Sequence, residues 1–103
     1  MDADLVTDLR AIANPTRRQL LAWLRDPERH FPLEDAIADP HKVGVRVSHI
    51  QAKAGLARST VSAYLADLQR AGLVRATRIG KWTHYRRDEV RMADLITTLG
   101  HIL

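Results

Sequence analysis

Cysteine is absent from this chain of 103 residues. The absence excludes disulfide bonds and every metal or redox site that depends on a thiol. A long apolar run is lacking as well, because no stretch approaches the roughly 20 residues that a membrane-spanning helix needs. The acidic start, MDADLVTDLR, has neither the basic flank nor the apolar stretch of a signal peptide. We therefore expect a cytoplasmic protein with no membrane partner and no cofactor.

Charge is present but unevenly distributed. Residues 41–87 contain ten lysines and arginines against Asp67 alone, whereas residues 1–40 and 88–103 are both net acidic. A basic block of this kind is typical of a protein that binds a polyanion. Taken alone it is weak support, because solvated basic faces are common.

Apolar spacing predicts helices at both ends of a single domain over residues 1–103. The first helix is expected over residues 4–13. Asn14 and Pro15 are a good N-cap and first helical residue for a second helix over residues 15–25. Residues 26–45, with three prolines and mixed charge, predict a long loop with a short helical turn near residues 33–38.

The second half of the chain predicts a helix-turn-helix followed by a hairpin. Ser48 with Gln51 fits a capping box at the start of a third helix, which Gly55 would end. A helix over residues 58–71, two strands around a turn at residues 79–80, and a last helix capped by Asp88 follow. This order predicts a mainly α fold of five or six helices with a β-hairpin wing, the winged helix-turn-helix.

Three stretches of the chain, in the right order, carry a family pattern over residues 11–24 and 50–87. IANPTRRQLLAWL is close to L-A-D-P-T-R-R-x-I-L-x-x-L, and AGLARSTVSAYLADLQRAGLV to L-G-L-S-x-S-T-V-S-x-H-L-x-x-L-x-x-A-G-L-V. RIGKWTHYR is close to the wing pattern R-x-G-R-x-x-Y-Y. The chain thus resembles the ArsR/SmtB family of bacterial winged-helix repressors. The resemblance implies a homodimeric, nucleoid-associated regulator that binds a double-stranded DNA operator, usually as a repressor released by an inducer; the residues identify no inducer.

The chain departs from the metal-sensing members of that family. Where such members carry E-L-C-V-C-D-L, this chain has GVRVSHI, so the two cysteines fall on Arg46 and Ser48. Other members bind zinc on the last helix, but Asp88, Asp94 and His101 lack the closely spaced histidine pair. We therefore predict no metal site. A histidine and aspartate site in the long loop stays an alternative, from the residues His30, Glu34, Asp35, Asp39 and His41.

Polar side chains at the start of the 58–71 helix are the predicted DNA contacts. Hydroxyls can donate to or accept from base edges and phosphates, and arginine can pair with a phosphate or with guanine. The bracing helix would add backbone contacts, and the wing would add minor-groove or phosphate contacts from residues near its tip. The predicted set is Arg58, Ser59, Thr60, Ser62, Ala63, Tyr64, Gln51, Lys53, Arg75, Arg78 and Lys81. The alternative is that these residues cap and solvate, that Tyr64 packs inward and that the wing charges only prevent aggregation. Trp82 and Tyr85 are expected to pack against the core.

The terminal helices carry more apolar surface than a chain of this size readily hides. We predict a two-fold dimer interface formed by Leu5, Leu9, Ile12, Met92, Leu95, Ile96, Leu99 and Leu103. The alternative is that these residues complete the core. No motif of an enzyme is present, so no catalytic residue is predicted. A winged-helix module that binds protein instead of DNA is a further alternative, against which the basic block argues.

Overall fold

The computed structural model describes residues 3–32 and 39–103. Within these residues six helices and three strands follow one another along the chain. They are α1 (Ala3–Ile12), α2 (Pro15–Arg25), α3 (Pro27–His30), β1 (Val45–Arg46), α4 (Val47–Ala54), α5 (Arg58–Arg70), β2 (Val74–Ile79), β3 (Trp82–Arg87) and α6 (Glu89–Ile102). The order matches the predicted winged helix-turn-helix, in which α4 and α5 form the helix-turn-helix and β2 and β3 form the wing.

Helix α2 starts as the sequence predicts. The Asn14 side chain accepts a hydrogen bond from the backbone N–H of Arg17 at 2.9 Å, and Pro15 occupies the first turn. The cap satisfies one of the backbone donors that a helix start leaves without a partner. Leu20, Leu21 and Leu24 then point into the core, as their spacing predicts.

The prediction of one long loop over residues 26–45 is wrong where the structure describes that segment. Pro27 begins a further turn of helix, α3, because proline fits the first position of a helix. The Phe31 ring that follows packs edge-on against Trp23, with the ring centres 6.5 Å apart. At the other end of the segment, Val45 and Arg46 form strand β1. The predicted turn near residues 33–38 lies outside the described residues.

The predicted capping box at Ser48 is also wrong. Helix α4 begins at Val47, its N-cap is Arg46, and no side chain caps it. Val45, Val47 and Ile50 are all buried, so the packing of these apolar side chains sets the start of the helix and places Ser48 within its first turn. The other end is as predicted: Gly55 adopts a left-handed conformation with φ of 66°, which glycine reaches without a steric penalty.

The sheet is antiparallel, with strand order β1-β3-β2. Ile79 pairs with Trp82 at the tip of the wing, and Val74 pairs with Arg87 at its base. On the other side of β3, Arg46 pairs with His84. Asp88 then caps α6, because its side chain accepts a hydrogen bond from the N–H of Arg91 at 3.0 Å.

The centre of the core lies under the helix-turn-helix. Its most deeply buried members come from α4, α5 and the residue that leads into the wing, and they are Ile50, Val61, Leu65, Leu68 and Leu73. Large apolar side chains without contact to water anchor a helix firmly, because each would lose about 1.5–3 kcal/mol on exposure. The position of α5 is therefore fixed by its buried face.

Candidate nucleic-acid interface

Helix α5 has one face in the core and one in solvent. Val61, Leu65 and Leu68 are fully buried. The first two turns on the opposite face are exposed, and they consist of Arg58, Ser59, Ser62 and Ala63, with Thr60 partly buried beside them. The N-cap, Ala57, has no side chain that could satisfy the first backbone donors. The exposed end of α5 thus offers a guanidinium, hydroxyls and backbone N–H groups on a rigid support.

Tyr64 belongs to the inner edge of α5 more than to its exposed face. It is partly buried and packs against the hydrophobic core. The guanidinium carbon of Arg17 lies 5.7 Å from the centre of the Tyr64 ring. Of the two interpretations of Tyr64, the structure therefore shows the inward packing.

Arg17 joins three helices and was missed by the sequence analysis. Its Nε donates to the carbonyl of Ala11 at 2.6 Å, and its Nη2 donates to the carbonyl of Arg10 at 3.0 Å. Its Nη1 lies 3.3 Å from a carboxylate oxygen of Asp67 on α5. One side chain of α2 therefore satisfies the last carbonyls of α1 and holds α5 at the same time. Its position within the matched stretch IANPTRRQLLAWL was the available signal.

Arg91 likewise connects separate helices, at the C-terminal end of α5. From α6, its Nη2 donates to both carboxylate oxygens of Asp8 on α1 at 2.9 Å and to the carbonyl of Ala71 at 3.0 Å. The hydrogen bond with Asp8 raises the pKa of Arg91 further above its ordinary value. The two terminal helices are thus connected to the end of α5 by a charged pair, of which Asp8 is buried.

The predicted contacts on the bracing helix α4 have different surroundings. Gln51 is partly buried, whereas Lys53 is exposed. The Lys53 ammonium lies 5.5 Å from the centre of the Trp23 ring, within the range of a cation–π contact. Lys53 therefore lies beside α2, with its charge still open to solvent.

The wing carries the predicted basic residues at two different heights. Lys81 is exposed at the tip, and Arg78 donates from its Nε to the carbonyl of Gly80 at 3.0 Å. The prediction that Arg75 approaches the tip is wrong. Arg75 pairs with Arg86 near the base, four residues or about 13 Å from the tip.

Asp88 holds Arg75 at the base of the wing. The Nε of Arg75 lies 2.6 Å from a carboxylate oxygen of Asp88, which is buried. The hydrogen bond from the Arg91 backbone N–H, together with the Arg75 charge, lowers the pKa of Asp88 below its ordinary value of 3.8. The charge of Arg75 is therefore compensated within the chain.

Trp82 is another correction, because it was expected to pack against the core. It is 40% exposed at the start of β3, and its ring contacts Arg46 and Lys81. Side chains alternate between the two faces of a strand. Tyr85, three residues further, lies on the other face and packs against the core as predicted.

Comparison with known proteins agrees with this geometry. The model of the IclR helix-turn-helix domain matches residues 38–78, which contain α4, α5 and most of β2. An uncharacterised HTH-type transcriptional regulator of Bacillus subtilis (strain 168), YbzH, is 46% identical over 92 residues, or 86% of this chain and 91% of that relative. The chain belongs to the HTH-type transcriptional regulators.

Solved structures of ArsR-like transcriptional regulators share the winged helix fold of this regulator. An ArsR-like transcriptional regulator from Rhodococcus sp. RHA1 superposes with a TM-score of 0.72 at 21% identity, over 97% of this chain and 79% of that chain. The homodimeric winged helix-turn-helix DNA-binding domain Mb0332 of Mycobacterium bovis, a possible ArsR-family regulator, superposes with a TM-score of 0.64 at 25% identity, over 95% of this chain and 79% of that chain. The predicted winged helix-turn-helix fold class is thereby confirmed, and the likeness agrees with the predicted resemblance to the ArsR/SmtB family.

The apolar residues of the regulator's terminal helices divide into three groups. Leu5 and Leu95 are buried in the core of the single chain, so these two residues complete the core, as the alternative interpretation had it. Partly buried residues form the second group, which consists of Leu9, Ile12, Met92 and Leu99. Ile96 is 63% exposed and Leu103 is 97% exposed. Val90 and Ile102, which the sequence analysis did not include, are exposed as well.

The residues considered for metal binding are not brought together in the described part of the regulator. No three histidine, aspartate or glutamate side chains group there as a metal site, and Glu34 and Asp35 lie outside it. His41 contacts Glu28 at 2.8 Å, and Asp88 is engaged by Arg75 and Arg91. Among the described helices, none combines the length and the apolar character that a membrane span requires.

Proposed function

We propose that the regulator is a repressor that binds a palindromic operator as a homodimer, through the N-terminal half of α5 and the tip of the wing. The observation that carries the proposal is the division of α5 into two faces. Val61, Leu65 and Leu68 fix the helix in the core, while its first two turns present polar side chains to solvent. A helix held in this way can enter a major groove with its N-terminal side chains at the base edges.

The chemistry of the exposed residues divides the expected contacts into two classes. Arg58 can form a bidentate contact with guanine, and the hydroxyls of Ser59 and Ser62 can contact either bases or phosphates. Thr60 lies beside them and is partly buried, so only the exposed part of its side chain is available for a base contact. Ala63 offers a methyl group that fits against the methyl group of thymine. These residues would therefore determine which sequence is bound.

The remaining basic residues would position the regulator on the DNA backbone. Lys81 and Arg78 lie at the wing tip, and Lys53 lies on the bracing helix. Lysine acts towards phosphate as a point charge without sequence preference. Because Arg75 is paired with Asp88, and Tyr64 packs inward, we do not include these two residues among the contacts.

The apolar residues of the last helix that the single chain leaves exposed or only partly buried support the homodimer. Met92, Ile96, Leu99 and Leu103 recur at intervals of three or four residues and so share one stripe of the helix. Leu9 and Ile12 add to the apolar surface from α1. Burying such a stripe against its symmetry mate gives two recognition helices, which would read half-sites about one DNA turn, or roughly 34 Å, apart.

Mobility-shift titrations of operator and random duplexes test the assigned roles. Arg58→Ala and Thr60→Ala should reduce the preference for the operator, because they remove base contacts. Lys81→Ala should weaken binding to both duplexes equally, because it removes a phosphate contact. Equal losses on operator and random DNA for the α5 variants would contradict the assignment. Repression itself requires that loss of the regulator raises transcription from the operator promoter.

The dimer is tested separately by measuring the molar mass in solution. Ile96→Lys places a charge in the middle of the exposed stripe and should shift the mass from two chains towards one. Thr98→Lys is the matched control, because Thr98 is exposed and lies two residues, or about 200° around the helix, from Ile96. A wild-type mass of one chain, or equal behaviour of the two variants, would refute this interface.

A further inference from the structure

The Trp82 ring is partly open to solvent at the tip of the wing, and two cations lie close to it. The guanidinium carbon of Arg46 is 4.4 Å from the ring centre, and the Lys81 ammonium is 5.2 Å from it. Both distances fall within the roughly 6 Å over which the face of an indole attracts a cation. One exposed ring therefore holds a cation from β1 and a cation from the turn.

The sheet register explains why these residues meet. Arg46 pairs with His84 on β3, and residues two apart on a strand share a face of the sheet. The Arg46 side chain thus lies on the same face as Trp82, next to the tip. Arg46 is also the N-cap of α4. The ring therefore connects the tip of the wing with the start of the bracing helix.

Neither cation is neutralised by the part of the chain that the structure describes. Arg46 and Lys81 take part in none of its ion pairs, whereas Arg75 is paired with Asp88. An aromatic ring attracts a cation through its quadrupole and leaves the net charge unchanged. Two positive charges are thus held in place by the ring and stay available to an anion from outside.

We propose that Trp82, Arg46 and Lys81 form a phosphate clamp, in which the ring positions the two cations against the backbone of duplex DNA. This inference rests on the proposed function, and it adds Arg46 and Trp82 to the interface. Because the ring orders both side chains before binding, less conformational freedom is lost when DNA arrives. In this role Trp82 is a positioning residue, and the charges that contact phosphate are those of Arg46 and Lys81.

Salt dependence of DNA binding tests the clamp. A labelled duplex of about 30 base pairs and arbitrary sequence is titrated with the full chain by fluorescence anisotropy at several salt concentrations. Arg46→Gln and Lys81→Gln should each lower the salt slope by about 0.9, which is about eightfold in affinity over one decade of salt. Arg25→Gln is the matched control, because exposed Arg25 lines the same cavity as Arg87, at the end of β3 away from Trp82, and should leave the slope unchanged.

Variants of the ring separate positioning from direct contact. Trp82→Leu keeps apolar bulk but removes the aromatic face, and it should weaken binding by about fivefold. Trp82→Phe restores an aromatic face and should recover most of the affinity. Because Trp82 is not part of the buried core, these variants should remain folded, which circular dichroism checks.

Other outcomes would refute the clamp, the proposed function or the positioning role of Trp82. If wild type binds duplex with a steep salt slope but Arg46→Gln and Lys81→Gln match the Arg25→Gln control, the clamp is wrong and the proposed function stands. If wild type ignores duplex even at low ionic strength, the proposed function itself fails. The positioning role of Trp82 is refuted if Trp82→Phe loses as much duplex affinity as Trp82→Leu. It is also refuted if Trp82→Leu weakens binding to a single strand more than binding to the duplex.

Discussion

Arg91 connects α6 with α1 and with the end of α5, and we predict that Arg91→Leu destabilises the folded chain by about 3 kcal/mol. The variant removes the hydrogen bond to the Ala71 carbonyl, which is worth about 1 kcal/mol. It also leaves the Asp8 carboxylate, whose side chain is only 8% exposed, without its partner. Breaking a fully buried pair costs about 3–5 kcal/mol. We reduce this to about 2 kcal/mol because the Arg91 side chain is 33% exposed and water can partly replace it.

Urea denaturation followed by circular dichroism measures this loss. A slope of about 1.5 kcal/mol per molar urea converts 3 kcal/mol into a midpoint shift of about 2 M. All variants must be compared at one protein concentration, because dimerisation would add to the apparent stability. Arg29→Leu is the matched control: its pair with Asp26 is exposed on both sides, and its loss should cost less than about 0.5 kcal/mol.

A double variant checks the reasoning behind this magnitude. In Asp8→Leu/Arg91→Leu no charge is left buried, so the double variant should be more stable than the sum of the two single losses predicts. The predicted cost of Arg91→Leu is refuted if this variant shifts the urea midpoint no more than Arg29→Leu does. Strict additivity of the Asp8 and Arg91 losses would also refute it, because the two side chains would then not interact.

Three further predictions concern local structure. The stability contributed by Asp88 should be present above its ordinary pKa of 3.8 and be lost as the pH falls through its lower folded pKa. Urea midpoints measured between about pH 6 and 3 should show this loss. An equal loss in Asp88→Asn, which has no carboxyl group to titrate, would contradict the prediction. Ala57→Ser should supply the missing cap of α5 and raise the free energy of unfolding by about 1 kcal/mol, measured by thermal melting. An unchanged melting temperature would show that the first turn gains nothing from a cap. Gly44→Ala should destabilise the chain by more than about 2 kcal/mol, because the added Cβ would lie 2.4 Å from the Tyr85 carbonyl group at a φ of 110°. Gly100→Ala, which meets no neighbouring atom, should instead be neutral or stabilising, and similar melting temperatures for the two glycine variants would be incompatible with this packing.

The elements that depend on neighbouring residues could be predicted from the sequence. Apolar spacing gave the buried faces of α2 and α5, and Asn14, Gly55 and Asp88 marked helix ends correctly. The turn at the wing tip follows from Gly80, whose φ is 59°. In each case the signal and the structure it produces lie within a few residues of one another.

The features that the sequence analysis missed depend on distant residues. Strand β1 contains only Val45 and Arg46, and it exists because β3, almost 40 residues later, supplies its partner. The false capping box at Ser48 had the right residues, but with Val47 buried the N-cap lies two positions earlier, at Arg46. No local rule reveals which of two competing starts the core selects.

Charge pairing between separate elements was equally invisible in the sequence. Arg75 belongs to a basic block, and only the fold places Asp88 2.6 Å away from it. Trp82 is aromatic and was therefore expected inside, but it lies at the tip of the wing, beyond the edge of the core, whereas His84 on the same face of β3 is buried. Leu95 and Ile96 both fit the apolar stripe of α6. Leu95 is nevertheless buried and Ile96 is exposed, because the boundary of the core runs along the helix between them.

Operator binding is measured most directly by selecting bound sequences from a pool of random duplexes with the purified regulator. We expect enrichment of one two-fold symmetric sequence, with half-sites separated by about one helical turn. We also expect Arg58→Ala to broaden the selected sequence at specific positions, because Arg58 lies exposed at the start of α5. Recovery of no preferred sequence, or of a sequence without two-fold symmetry, would contradict operator binding by a homodimer through this helix.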